Sequence, residues 1–207
     1  MPPRLRAIEQ NAFVYTAEQE STEKYAILCD QGDIVFPKTF ESLGSETFRY
    51  AGLTGLVDFA ATRLTTIPEK CFSSVSFKRV VLPASVTTVE PYAFNVAEKN
   101  VDKVQLGELC FLGLPPTFER NPDWPDSVLW NQNREWDLIV RPRRDDPATL
   151  AAWRALPNFI DKEDFDGLES KKNYETVSKM KGFIGVLDNS WVVTWVPPSA
   201  GMKVLLR

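Results

Sequence analysis

The side chains able to act as acids, bases, nucleophiles or metal ligands are few, and their spacing assembles no reaction centre. Histidine is absent. That removes the commonest general base and zinc ligand, and with them every Ser-His-Asp or Cys-His arrangement. Cys29, Cys71 and Cys110 show no CxxC spacing. Their odd number forbids a complete intrachain disulfide framework, so they read as small buried hydrophobes or partly exposed thiols. Asp145 and Asp146 are adjacent acids at the start of a predicted helix, where they favour its dipole without any catalytic role. Asp161, Glu163, Asp164 and Asp166 fall in the run DKEDFDGLESKK (161–172). The glycine and distal glutamate are misplaced for a calcium loop, and the run reads as a solvated charged face. No GxGxxG, Walker, GxSxG or HExxH motif occurs. Glycosidase chemistry needs two acids across a cleft, and nothing in the sequence marks one. The expectation is a non-enzyme with no cofactor, no metal site and no catalytic residue.

Two groups of residues are better suited to binding than to catalysis. Arg141, Arg143 and Arg144 form the one basic cluster, either solvated surface or a site for an acidic partner. Trp124, Trp130 and Trp136 lie in ERNPDWPDSVLWNQNREWD (119–137), whose Asn, Asp and Arg neighbours suit a platform for a glycan or peptide. These six residues are the candidate binding surface. The net charge of −4 argues against a nucleic acid or an anionic membrane as partner, since both reward clustered Lys and Arg. No stretch approaches the roughly 18–20 apolar residues of a membrane span. The N-terminal MPPRLRAIEQNAF has no apolar core and does not read as a signal peptide.

A repeat must position these side chains. One pattern recurs four times: an apolar residue, another three later, and a phenylalanine five after that. The instances are Leu5, Ile8, Phe13; Phe40, Leu43, Phe48; Leu64, Ile67, Phe72; and Val86, Val89, Phe94. The residue before each phenylalanine is small: Ala12, Thr47, Cys71 or Ala93. The phenylalanines are 24 and 22 residues apart from Phe48 to Phe94, but 35 apart from Phe13 to Phe48, so an insertion sits in the first interval. A second element precedes the motif, with Ile34, Phe36, Pro37 and Phe40 matching Val80, Leu82, Pro83 and Val86 in spacing. Short apolar segments around Ile34, Leu56, Val80 and Val104 read as strands, and Pro37 and Pro83 end two of them. Each unit of about 22–24 residues predicts one turn of a coil, its strand pairing in parallel with the next. The Leu, Ile and Phe positions then stack into a shared core.

The runs IVFPKTFESLGSETF (34–48), LTTIPEKCF (64–72) and VVLPASVTTVEPYAF (80–94) resemble the BspA-like, treponemal-type leucine-rich repeat, roughly I-x-I-P-x-x-[apolar]-x-x-I-x-x-x-A-F. The resemblance covers about residues 4–118. Thr47 and Cys71 depart from the usual Ala, and the unit after Val104 loses the Phe spacing. PPTF (115–118), LIVRP (138–142) and a short helix look like the degenerate unit that closes such solenoids. The resemblance implies a secreted or cell-surface protein in adhesion or interaction, its export signal trimmed away, with a protein or glycan ligand. It transfers no catalytic residue. The alternative role is a structural spacer or scaffold domain of a longer chain, motivated by a first repeat that lacks its strand.

The rest of the chain reads as accessory to that solenoid. The polar insertion between Val14 and Gly32 reads as a solvated surface loop or short hairpin, or as a projecting binding loop. The tryptophan-rich segment reads alternatively as a cover for the solenoid's open end. A helix follows, capped by Asp145 or Asp146, with Pro147 in its first turn, Leu150, Trp153 and Leu156 on its apolar face and Pro157 as its stop. GFIGVLD (182–188), SWVVTWV (190–196) and GMKVLLR (201–207) predict a small antiparallel sheet, with a short helix near Tyr174–Met180 before it. The expected class is α+β: a leucine-rich-repeat solenoid with short parallel strands, a degenerate C-terminal cap containing a helix, then a small antiparallel β extension. The expected division is 1–160 for the solenoid with its cap and 161–207 for a small C-terminal β module or cap extension.

Overall fold

The computed structural model describes residues 1–14, 33–95, 108–119, 139–143, 146–157, 159–161 and 185–187. The longer sheet is built from β2 (Ile34–Val35), β4 (Gly52–Asp58), β6 (Ser76–Leu82), β8 (Glu108–Phe111) and β10 (Ile139–Pro142), each parallel to the next. A second row of two-residue strands follows the other side of the coil. In it, β1 (Ala7–Ile8) pairs with β3 (Ser42–Leu43), and β5 (Thr66–Ile67) pairs with β7 (Thr88–Val89), which pairs with β9 (Thr117–Phe118). The rise along both rows is one strand per coil, as the repeat demands.

The register fixes the period. Ile34 pairs with Val57 and Val57 with Val80, a step of 23 residues each time. Val80 then pairs with Leu109, 29 residues on, and Leu109 with Val140. The expected fourth strand near Val104 is therefore displaced to Glu108–Phe111. The longer step absorbs extra chain between coils, so constant-period counting loses phase there. Val104 itself lies outside the described residues.

Side chains pointing between the two rows make one core. Phe13, Phe48, Phe72 and Phe94 form a ladder of near-parallel rings with centroids 5.4, 5.3 and 5.2 Å apart. A shorter stack joins Phe36 to Phe59 at 4.2 Å. Burial of such rings is the main favourable term of folding. The small residue before three of the ladder phenylalanines sits in the core: Thr47, Cys71 and Ala93 are each 0% exposed, and a larger side chain would overpack it, whereas Ala12 before Phe13 is exposed. Thr47 stays polar there because its Oγ1 donates to the Gly44 carbonyl at 2.7 Å.

A recurring backbone feature sets the ladder. Asn11, Glu46, Lys70 and Tyr92, each two residues before a ladder phenylalanine, have φ of 59, 57, 53 and 60°. A left-handed residue at this place turns the chain so that successive N–H groups face the next coil. Phe13 N donates to Thr47 O at 2.9 Å, Phe48 N to Cys71 O at 2.9 Å and Phe72 N to Ala93 O at 2.8 Å. The four positions share no residue type, so the conformation is imposed by the coil-to-coil hydrogen bonds and by ring burial.

The helix α1 (Pro147–Arg154) starts where the composition places it. Asp146 is the cap, accepting from Ala148 N at 3.1 Å and from Thr149 Oγ1 at 2.7 Å, and Pro147 opens the first turn. Its Trp153 is fully buried against Phe111 (4.9 Å) and Phe118 (6.2 Å), with Nε1 donating to Gly113 O at 3.0 Å. β11 (Phe159–Asp161) follows. The last described strand, β12 (Gly185–Leu187), corrects an expectation. The pattern predicts antiparallel pairing for 182–188, yet β12 runs parallel to both β10 and β11 and lies between them in the long sheet. An alternating apolar run fixes that a segment is a strand but not its direction, which is set by the strands it joins. The other two expected strands and the helix near 174–180 lie outside the described residues.

Candidate interaction surface

The repeat-core positions are turned inward. Phe40, Ile67, Phe72, Val89 and Phe94 are 0% exposed, and Phe48, Leu64, Val86 and Ile8 are buried. Leu5, Phe13 and Leu43 are half-buried and pack against the same core. Among the described residues, the positions between these lie on the other face of the long sheet and along the left-handed turns.

On the outer sheet face, strand alternation aligns Arg79 of β6 with Glu108 of β8, and Arg141 of β10 with Cys110 of β8. Glu108 holds both guanidinium groups. Arg79 Nε donates to its Oε2 at 2.7 Å, and Arg141 Nη1 lies 2.6 Å from its Oε1. Beside the ion cluster, Val81, Cys110 and Leu112 form a small buried apolar group with Leu56 and Ala60. Burial pushes the Cys110 thiol up to about 12, with Arg79 and Arg141 opposing and Glu108 adding to the shift. Cys110 is thus a protonated, unreactive thiol at neutral pH. Cys71, fully buried in the core, is raised further by the same cause. Asp58, on the same face, has its carboxyl raised above the ordinary range by burial, with Ala60 N–H (2.7 Å) opposing and Asp33 adding repulsion.

Along the turns, the left-handed residues form a column of a different character. Lys70 Nζ reaches Glu69 at 2.9 Å and Glu46 of the preceding coil at 3.9 Å, and sits 5.8 Å from the ring centre of Tyr92 on the following one. Arg49 bonds Glu46 at 2.6 Å and Tyr50 Oη at 2.9 Å, with its guanidinium 4.8 Å from the Tyr50 ring centre. Glu90 accepts from Glu69 N at 2.8 Å. All five of Glu46, Arg49, Tyr50, Lys70 and Tyr92 are half-exposed. The result is a strip of aromatic and charged side chains, held in place by one another, that crosses three coils.

The residues proposed from sequence divide unevenly against this geometry. Trp124, Trp130, Trp136 and Arg144 lie outside the described residues. Arg143 is half-buried, and its backbone N donates to Phe111 O at 2.8 Å. Arg141 is 7% exposed and engaged with Glu108, so it sits within the sheet-face ion cluster and not on an open surface. Spacing showed three arginines close in sequence, but strand pairing decided that Arg141 meets the Glu108 carboxylate. Sequence reasoning passed over the turn strip. Its signal was the fixed offset of two residues before each ladder phenylalanine, occupied by Asn11 in the first coil, a residue type tolerant of the left-handed region.

A family model described as BspA type leucine rich repeat region matches residues 6–109 in six copies. No curated protein and no solved structure matches the chain.

Proposed function

The chain belongs to the BspA-type leucine-rich-repeat family, and from that premise we propose that it is a non-catalytic adhesion module, secreted or displayed at a cell surface, that binds a host protein or glycan. Repeat domains of this kind serve generally in protein interaction. No helix among the described residues is long and apolar enough to cross a membrane. The observation that carries the reading is the turn strip. The repeat commits its apolar positions to the core, while Arg49 and Tyr50 contact each other within one coil and Lys70 reaches Glu46 and Tyr92 on the neighbouring coils, all of them half-exposed. Pre-ordered aromatic and arginine side chains are the residue types that dominate protein-binding surfaces, because little entropy is lost on fixing them. The tryptophans at 124, 130 and 136 are proposed as a second set of ligand contacts, on their residue type alone.

Binding of the full chain to arrays of extracellular matrix proteins and glycans tests this. A specific ligand is expected, with its affinity lowered at least tenfold by Tyr50→Ala/Tyr92→Ala or by alanine at the three tryptophans. The variant that fails identifies the surface. Absence of any specific ligand, or a ligand insensitive to both variants, rejects these surfaces.

A further inference from the structure

The long sheet follows chain order from β2 to β10 and then breaks it. Its sequence of strands ends β10, β12, β11, so the strand nearest β10 in space comes from residues 185–187, after β11 in the chain. One strand position was thus stepped over and filled later by a returning segment.

Both walls of that position are held without the segment that fills it. β10 is paired to β8 over Ile139–Pro142, with Val140 fully buried and Arg141 on Glu108. β11 is anchored through Phe159, whose ring lies 5.7 Å from both Trp153 and Phe118. The occupant is small by comparison. Its register covers two residue pairs with β10 and three with β11. Removing it leaves two facing rows of unpaired N–H and C=O groups, a geometry that captures an extended strand.

We propose that this position is a strand-exchange site, in which residues 185–187 of a second copy of the chain replace the chain's own and the exchange is reciprocal. An identical copy carries the same Gly-Val-Leu segment, able to enter in the same parallel register, so exchange changes no hydrogen bond in the sheet and only the chain of origin. The connection permits it. Residues 162–184 separate β11 from β12, and a chain of that length spans at most about 83 Å when extended, well beyond the width of a strand position. Short strands with long connections exchange readily because few native pairs must break at once.

The test uses register partners Ile139 and Val186, with Cys29→Ser throughout. Full-length Ile139→Cys and Val186→Cys chains are mixed, concentrated, warmed to just below melting, cooled and oxidised. A 139–186 bridge joining two different chains is expected, at least tenfold more abundant than in the same mixture oxidised without warming. The Ile139→Cys/Val186→Cys double variant, oxidised beforehand at low concentration, is expected to lock as a monomer and to lose dimer at least tenfold. The proposal is overturned if mixed chains never bridge, or if the locked variant dimerises as well as the reduced one. The unsubstituted chain, mixed as isotopically heavy and light copies, guards against misfolded variants. Mixed-mass dimers appearing only after warming support exchange, and their absence rejects it.

Discussion

Replacing Phe72 by alanine removes the middle ring of the phenylalanine ladder. Phe72 is 0% exposed, and near-parallel rings lie on both sides of it, Phe48 at 5.3 Å and Phe94 at 5.2 Å, with Phe59 edge-on at 6.2 Å. Core Phe→Ala changes cost about 3–5 kcal/mol, combining lost transfer energy with the cavity left behind. Phe72 belongs at the upper end, since each stacked pair contributes about 0.5–1.5 kcal/mol beyond burial. A loss of about 4–5 kcal/mol is expected, a large part of a typical domain's stability and a fall in melting temperature of about 8–20 °C. Phe13, half-buried and stacked only on Phe48 among the described rings, provides the internal comparison. Its alanine variant should lose about 1–2 kcal/mol, in proportion to the smaller area it removes from water. Urea titrations followed by far-ultraviolet circular dichroism measure both. If Phe72→Ala loses less than about 2 kcal/mol, or no more than Phe13→Ala, the coils do not share one stacked core.

Three further changes probe the outer face and the turns. Glu108→Gln leaves Arg79 and Arg141, with side chains 15% and 8% exposed, without their shared negative charge. A loss of about 3 kcal/mol is expected by denaturant titration, whereas a loss under about 1 kcal/mol is the behaviour of a solvent-exposed pair. Because the Asp58 carboxyl is raised by burial, the folded protein holds its proton more tightly than the unfolded chain. Its contribution to stability therefore falls as pH rises from the ordinary aspartate range through the raised value. Asp58→Asn keeps an acceptor for Ala60 N–H and should melt higher than the parent near neutral pH, with the gap closing on acidification; a gap that does not vary with pH contradicts the assignment. At Lys70, with φ of 53°, Lys70→Gly should exceed Lys70→Ala in stability by about 1 kcal/mol, because both lose the ammonium but only alanine keeps the left-handed steric penalty. Equal stabilities would show that the turn relaxes freely.

The amino-acid sequence determined the coil. Its apolar spacing placed Ile8, Leu43, Ile67 and Val89 at one inward phase of the coil and Phe13, Phe48, Phe72 and Phe94 at another, because stacking identical units requires the same side chain at the same phase. It also narrowed the cap to Asp145 or Asp146 and placed Trp153 on the buried face of α1, since capping and helical period are local properties. The tertiary structure decided what depends on partners distant in the chain. Pairing of β6, β8 and β10 brought Arg79 and Arg141 onto one carboxylate, and hydrogen bonds between coils drove Glu46, Lys70 and Tyr92 into a conformation that their own preferences resist. The direction of β12 was fixed by neighbours already running parallel. Local periodicity encodes which face of a segment is buried, but only assembled neighbours supply the charge, the hydrogen-bond partner and the strand direction that the segment finally meets.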